Sequence, residues 1–396
     1  MKICGIVAEY NPFHNGHAYH TAQTRAILGA DTPLVAVMSG NYVQRGDFAM
    51  LDKYQRAAMA VQSGLDLVLE LPLPAALSSA EGFARGAVAT LDALGCVTHL
   101  SFGSECGNLD RIQQAARCVR AGLPDALRAG HSYAAALEQV VSAVDPNAGA
   151  LLAQPNNTLG IEYCAALDAC GSSIQPLTIL RDGAAHDSEQ AHIRPSASFV
   201  RAAVLNGTLN QYEDTLPPPA LTILQAALLS GAAPVHTAVC DHAILSYLRR
   251  LSPDDLLRFS GGSDGIQHRL YRAIQSQTNF PAICRAAQTR RYPLARVRRA
   301  LLRAYLDLPA NISVYPQYLR VLAIGARGRS ILRRLSTDLP VITKPVSEKR
   351  LPDELQPALR ADVLADDLFA LAQPNPDLRT GGSHYRRTPF CLPGSH

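Results

Sequence analysis

The chain has 396 residues, of which 47% are hydrophobic and 18% charged, with a formal net charge of +4. That is enough apolar material for a sizeable core and for two domains, and no run of about 18 or more apolar residues marks a membrane span. The start, Met1-Lys2-Ile3-Cys4, shows no signal-peptide pattern, and the nine cysteines from Cys4 to Cys391 include no C-x-x-C pair. A disulfide framework and a zinc site are thereby excluded, leaving isolated buried thiols, no metal held by protein side chains and a cytoplasmic location as the expectation.

In chain order, residues 3–8 form a short apolar strand that Asn11-Pro12 breaks into a loop, and helical periodicity begins near Gly16. Residues 34–38, 65–69 and 98–102 read as further buried strands, each followed or preceded by an Ala-rich helical stretch. This alternation implies an α/β fold with a doubly wound parallel sheet. Residues 174–180 supply one more strand, 181–187 a polar loop and 198–205 the helix that follows. After Leu216-Pro217-Pro218-Pro219 the strand signals fade and helical patterns dominate, so the expected domains are 1–215 and a mostly α-helical 216–396. The tail from Gly381 onward reads as weakly ordered.

The charge is unevenly placed. Between residues 281 and 350 stand 15 Lys or Arg against Asp307, Asp338 and Glu348, so this segment carries +12 in a chain of only +4. A basic module is joined to an acidic one, which suits a polyanionic partner.

The chemistry concentrates in Glu9-Tyr10-Asn11-Pro12-Phe13-His14-Asn15-Gly16-His17, two histidines three apart around a glycine at a strand-to-helix junction. A helix start offers unpaired N–H groups and the positive end of the dipole, Gly16 lets a phosphate approach the backbone, and the histidines can donate hydrogen bonds to it. In open α/β sheets the ligand crevice lies at the carboxyl ends of the strands, where this segment falls. Two solvated surface histidines would explain neither the strand before the motif nor the Asn-Pro turn inside it.

The motif resembles that of the nucleotidyltransferase superfamily sharing an H-x-G-H signature with class I aminoacyl-tRNA synthetases. More narrowly, the chain resembles the bacterial tRNA(Met) cytidine acetate ligases. Residues Glu9 to His17 carry the resemblance, together with Val37-Met38-Ser39-Gly40-Asn41-Tyr42-Val43-Gln44-Arg45-Gly46, Phe102-Gly103-Ser104-Glu105, Pro155-Asn156-Asn157-Thr158-Leu159-Gly160 and Tyr318-Leu319-Arg320-Val321-Leu322. It spans nearly the whole chain.

By that resemblance ATP lies across Val7, Ala8, Glu9, Tyr10, Asn11, Pro12, Phe13, His14, Asn15, Gly16, His17, Ala18, Tyr19 and His20, with further contacts from Gly103, Asn156, Asn157 and Arg181. The catalytic pair is His14 and His17. Other readings stand beside these: Asn156-Asn157 after a proline is also an ordinary turn, Gly103 an ordinary strand stop and Arg181 a surface ion-pair partner. The segment Ser196-Ala197-Ser198-Phe199-Val200-Arg201 resembles the second superfamily signature, in which hydroxyls and a cation hold the β- and γ-phosphates, with Ser198 where threonine is usual. A plain helix cap is the competing explanation.

The implied reaction is adenylation of acetate, with Mg²⁺ accompanying ATP, followed by transfer to N4 of the wobble cytidine of elongator tRNA(Met). Glu9 and Asp187 are candidate bases for N4 attack by position only. For the acceptor, Arg296, Arg299 and Arg303 fall at i, i+3 and i+7 and are expected to face outward, while Leu294, Val297 and Leu301 pack inward. With no tryptophan and 6% aromatics, contacts to the RNA backbone should outweigh base stacking, and neither DNA nor a membrane is an expected partner. Two rival functions share parts of this pattern: a small-metabolite adenylyltransferase, which does not need the basic module, and a non-catalytic RNA-binding factor, which does not need the histidines.

Overall fold

A computed structural model describes residues 2–128, 133–181, 196–261, 264–344 and 351–393. The first half runs β1 (Cys4–Ala8), α1 (Asn15–Leu28), β2 (Leu34–Ser39), β3 (Tyr42–Val43), β4 (Asp47–Phe48), α2 (Lys53–Gln62), β5 (Leu67–Leu71), α3 (Leu73–Ala76), α4 (Ala80–Asp92), β6 (His99–Ser104), α5 (Leu109–Arg128), α6 (Tyr133–Ser142), α7 (Ala148–Leu152), α8 (Pro155–Cys170), β7 (Gln175–Leu180) and α9 (Ala197–Leu205). The second half adds α10 (Pro218–Ser230), α11 (Asp241–Leu248), α12 (Pro253–Ser260), α13 (Ile266–Ser276), α14 (Phe280–Ala287), α15 (Leu294–Tyr305), β8 (Leu319–Ile324), α16 (Gly328–Leu332), β9 (Val341–Ile342), α17 (Gln356–Ala370) and β10 (Phe390–Cys391).

The sheet order is β10-β8-β5-β2-β1-β6-β7, with β9 beside β8. From β5 to β7 all pairings are parallel, with Val7 opposite Val37 and Ala8 opposite Met38. The parallel strands explain their own sequences: helices cover both faces, so Leu34–Ser39 is buried at every position and shows no polar alternation. The chain leaves β1 at its carboxyl end, which places the histidine motif in the crevice beside the ends of β2 and β6.

The strands expected at 3–8, 34–38, 65–69, 98–102 and 174–180 are present within two or three residues. The segment after residue 216 returns more strand than its pattern suggested. β8 runs antiparallel to β5, with Leu67 opposite Ile324 and Val68 opposite Ala323, and β10 pairs with β8. The triple proline is the first turn of α10 and not a linker, since proline at the start of a helix forfeits only an N–H that has no intrahelical partner. Ala220, Leu224 and Ala227 of α10 share one core with Cys4, Ile6, Leu34 and Ala36. The expected division after residue 215 therefore falls inside a shared core. Helices α11 to α15 build a second core, which also takes in Tyr42, Phe48, Leu73 and Leu77 from the first half.

The basic segment is divided by the sheet. α15 lies against the β3-β4 hairpin, where a Cβ on Gly46 would come within 2.6 Å of both Arg298 Cβ and Arg299 N. α16 follows β8 at the opposite end of the strands, held where Gly325 N donates to Asp66 O (2.8 Å), Arg327 N donates to Asp66 Oδ1 (3.2 Å) and the Arg327 guanidinium pairs with Asp31 at 2.8 Å.

Candidate active site

His14 is the N-cap of α1, with φ −140° and ψ 174°. Its Nδ1 accepts the backbone N–H of Gly16 at 3.0 Å, and Nδ1 of His17 accepts the N–H of His14 at 3.2 Å. A backbone N–H can only donate, so both Nδ1 atoms are unprotonated and each neutral ring carries its proton on Nε2. The two rings lie with centroids 3.9 Å apart. Burial pushes the His14 imidazole down to about 3, helped by the charges of Arg181 and Arg201. Burial, then His14 and Arg181, holds His17 well below the usual histidine range. Two neutral Nε2–H donors result, held at the positive end of the α1 dipole.

The rest of the motif fixes this geometry. Phe13 is fully buried, and its ring and that of Tyr10 lie 5.4 and 4.9 Å from His17. Tyr10 adopts φ +45°, a conformation that turns the chain sharply out of β1. Asn11 Oδ1 accepts from Met50 N at 2.8 Å, and Asn15 Nδ2 donates to Asp214 O at 2.6 Å. Pro12 is buried, Ala18 N donates to His14 O, and Tyr19 lies half-buried on the next turn. His20 sits on the same helix, its Nε2 2.8 Å from Ser101 Oγ in β6, and burial lowers it to about 4.

Arginines surround the pair. Arg181, exposed at the end of β7, bears on His14, His17 and His20 alike. Its stem crosses Gly103, where a Cβ would stand 3.1 Å from Arg181 Cγ; any side chain there would displace the arginine. Arg201 reaches from α9 to donate to Asn11 O (2.8 Å) and Ser198 Oγ (3.1 Å), while Ser196 Oγ caps the helix by accepting from Phe199 N. The superfamily-like segment thus caps a helix and delivers a cation to the motif. Arg56, fully buried, donates to Glu9 O at 2.5 Å and to Ser39 O at 3.1 Å, tying the ends of β1 and β2 together. Sequence reasoning passed over Arg56, for which helix α2 gives no signal. It also gave no role to Arg45, although the resemblance included it.

Several sequence expectations change. The Asn157 side chain is 2% exposed; its Oδ1 accepts from Cys106 N (3.0 Å) and its Nδ2 donates to Leu151 O (3.1 Å), so its amide is committed to the fold. Asn156 Nδ2 donates to Glu105 Oε1 at 2.6 Å, and Glu105 Oε2 accepts Asn157 N at 2.9 Å, an acidic cap on α8. The outward stripe on α15 does not exist as expected. Arg303 is 7% exposed and donates to Leu77 O and Pro309 O, and Arg299 donates to Gln44 O at 3.0 Å. The reason is that α15 is covered on two sides, by its own helical core at Val297 and Leu301 and by the first half of the chain at Gln44 and Leu77. Arg296 is half-buried and pairs with Asp264 at 2.8 Å. Asp187, one of the two candidate bases, lies outside the described residues.

Among the described residues no three His, Cys, Asp or Glu side chains gather to hold a metal ion. Glu9 accepts from Gln44 N at 2.7 Å, and its carboxyl is raised by burial against the opposing pull of Arg56, Arg201 and Arg45. Among the described residues the site is a set of donors and cations, so nucleotide phosphates and water are the ligands it leaves for Mg²⁺.

The sequence profile described as HIGH Nucleotidyl Transferase matches residues 1–383. The tRNA(Met) cytidine acetate ligase of Syntrophomonas wolfei is 34% identical over 419 residues, covering 100% of both chains. That of Caldanaerobacter subterraneus is 36% identical over 390 residues, covering 95% of this chain and 96% of its own. The crystal structure of Thermotoga maritima TmcAL bound with alpha-thio ATP superposes with a TM-score of 0.88 at 30% identity, covering 99% of this chain and 100% of that one. Its apo form gives a TM-score of 0.90 at the same identity. No helix among the described residues is long and apolar enough to cross a membrane.

Proposed function

We infer the function from one premise, that the chain belongs to the HIGH nucleotidyl transferases and within them to the tRNA(Met) cytidine acetate ligases: it is an ATP-dependent ligase that acetylates a tRNA cytidine. The observation that carries the reading is the histidine pair, whose Nδ1 atoms are occupied by backbone N–H groups so that both Nε2–H groups are left to meet phosphate.

An acetate oxygen attacks the α-phosphorus of ATP, the bond to the bridging oxygen breaks, and pyrophosphate leaves with the electron pair. Charge grows on the α-phosphate oxygens and on the leaving group. His14 and His17 donate to those oxygens from the positive end of the α1 dipole, and Arg181 and Arg201 supply positive charge beside them. Neutral imidazoles suit this role, because they donate without a proton that the reaction would have to remove. In the second step N4 of the wobble cytidine of elongator tRNA(Met) attacks the acetyl carbon, AMP departs, and N4 sheds a proton. Mg²⁺, when bound with ATP, would screen phosphate charge; among the described residues no side chains gather to replace its water shell. The location consistent with a tRNA substrate is the cytoplasm.

The test is acetate-dependent exchange of labelled pyrophosphate into ATP. Removing one such donor costs about 10²–10³ in rate, so His17→Ala should lose most exchange while keeping its fold. Near-normal exchange by His17→Ala would refute the assignment. A small-metabolite adenylyltransferase would give no acetate-dependent exchange and would adenylylate its own metabolite instead.

A further inference from the structure

The two groups of arginines in the basic segment sit at opposite ends of the strands, α15 near the carboxyl end of β5 and α16 at its amino end, and the histidine site lies at the carboxyl ends. The hairpin between β3 and β4 bridges the site to α15. On the site side, Gln44 N donates to Glu9 Oε1 at 2.7 Å, and the Arg45 charge bears on both Glu9 and Arg201. On the other side, Arg299 donates to Gln44 O at 3.0 Å and Arg298 pairs with Asp47 at 3.5 Å. One turn earlier on α15, Arg296 lies 5.3 Å from the centre of the Tyr292 ring, and Arg291 lies 5.7 Å from it. Arg45, Arg290 and Arg291 are exposed. The exposed Arg329, Arg333 and Arg334 belong to α16 and its end, beyond the amino end of β5. The five residues of β5 alone put about 17 Å between the two ends at roughly 3.3 Å per residue.

We propose that the tRNA backbone follows a track of guanidinium groups from Arg45 at the hairpin tip, over the Arg296 end of α15, to Arg291 and Arg290, and that the arginines of α16 take no part. The proposal rests on the tRNA reading above and assigns that partner its surface. Arg299 and Arg303 serve the track indirectly, as positioning residues that hold α15 to the first half. Arg45 is the member nearest the chemistry, where it meets the phosphate flanking the acetylated nucleotide. A backbone track of this kind is read through salt dependence, since each phosphate contact releases counterions.

The experiment uses the full chain and bulk bacterial tRNA, with dissociation constants by filter binding across a salt series and KM for tRNA in acetylation assays. Each lost contact reduces the slope of log K against log salt by about 0.7–0.9. Arg290→Gln/Arg291→Gln should lose roughly 1.5 from the slope and raise KM for tRNA about tenfold, and Arg45→Gln should lose roughly 0.8. These side chains are exposed, so circular dichroism and the melting temperature should stay those of the parent. Arg329→Gln/Arg333→Gln/Arg334→Gln should keep the parent slope and KM. A parental slope in the double variant, or a flattened slope in the α16 triple variant, overturns the track. A parent protein that puts no acetyl group into tRNA overturns the tRNA reading itself, a result distinct from either.

Discussion

Replacing Arg303 with leucine separates the two roles available to that side chain. As an RNA contact it would weaken tRNA binding and leave the fold alone; as an internal clamp it would lower the stability of the fold. Its guanidinium donates to Leu77 O at 3.1 Å and to Pro309 O at 2.5 Å, and the side chain is 7% exposed. Stranding a buried carbonyl costs about 1–3 kcal/mol, so the two together cost about 4 kcal/mol. Against this stands relief from burying the cation, whose pKa is pushed down to about 10 by desolvation and then by Arg299. Leucine also keeps part of the apolar stem, and the net loss should be about 2–3 kcal/mol. For a chain of this length, with a urea slope of roughly 3 kcal/mol per molar or more, the midpoint should fall by somewhat under about 1 M. Urea unfolding at neutral pH measures it, with tRNA binding followed well below the transition. An unchanged midpoint combined with a weakened, less salt-dependent tRNA affinity would refute the clamp and restore Arg303 to the RNA surface.

Two further predictions follow from titration. His14 is pushed down to about 3 and His17 is held well below its ordinary range, both chiefly by burial, so both are neutral throughout the physiological window. ATP affinity and pyrophosphate exchange should therefore show no break between about pH 5.5 and 8 that disappears in His17→Ala; a break near 6.5 that does disappear would mean the rings act as cations. Asp362 accepts a hydrogen bond from Tyr318 and is raised to about 7 by burial and then Glu70, against Lys53 and Arg320. A raised carboxyl stabilises the fold at low pH and loses that contribution as pH rises toward 7. Relative to wild type, Asp362→Asn should thus gain stability between pH 5 and pH 8. Equal differences in urea stability at the two pH values would count against that burial.

Sequence reasoning reached the parallel strands because strands covered on both faces are written as unbroken apolar runs, as in Leu34–Ser39. It missed Leu319–Ile324, an equally buried strand, because an arginine lies within it and basic, helical segments flank it; the Arg320 side chain is accommodated by Glu70 and His384 inside the fold. The two-residue strands of the hairpin are too short to show any period. The histidine motif was legible as an anion site, but the protonated nitrogen was not, since that depends on which backbone N–H groups meet Nδ1. Helical spacing placed Arg296, Arg299 and Arg303 on one face correctly and said nothing of what covers that face. A residue such as Arg56, which joins two strand ends through their carbonyls, leaves no trace in a pattern of apolar and polar positions.

The central claim, that the histidine pair activates acetate for transfer to a tRNA cytidine, is tested most directly by nucleoside mass spectrometry. Elongator tRNA(Met) is incubated with ATP, isotopically labelled acetate and either the parent chain or His17→Ala, then digested to nucleosides. The parent should yield labelled N4-acetylcytidine only when ATP is present, and His17→Ala should yield about a hundredth of it or less. Labelled N4-acetylcytidine formed without ATP, or undiminished in His17→Ala, would contradict the account.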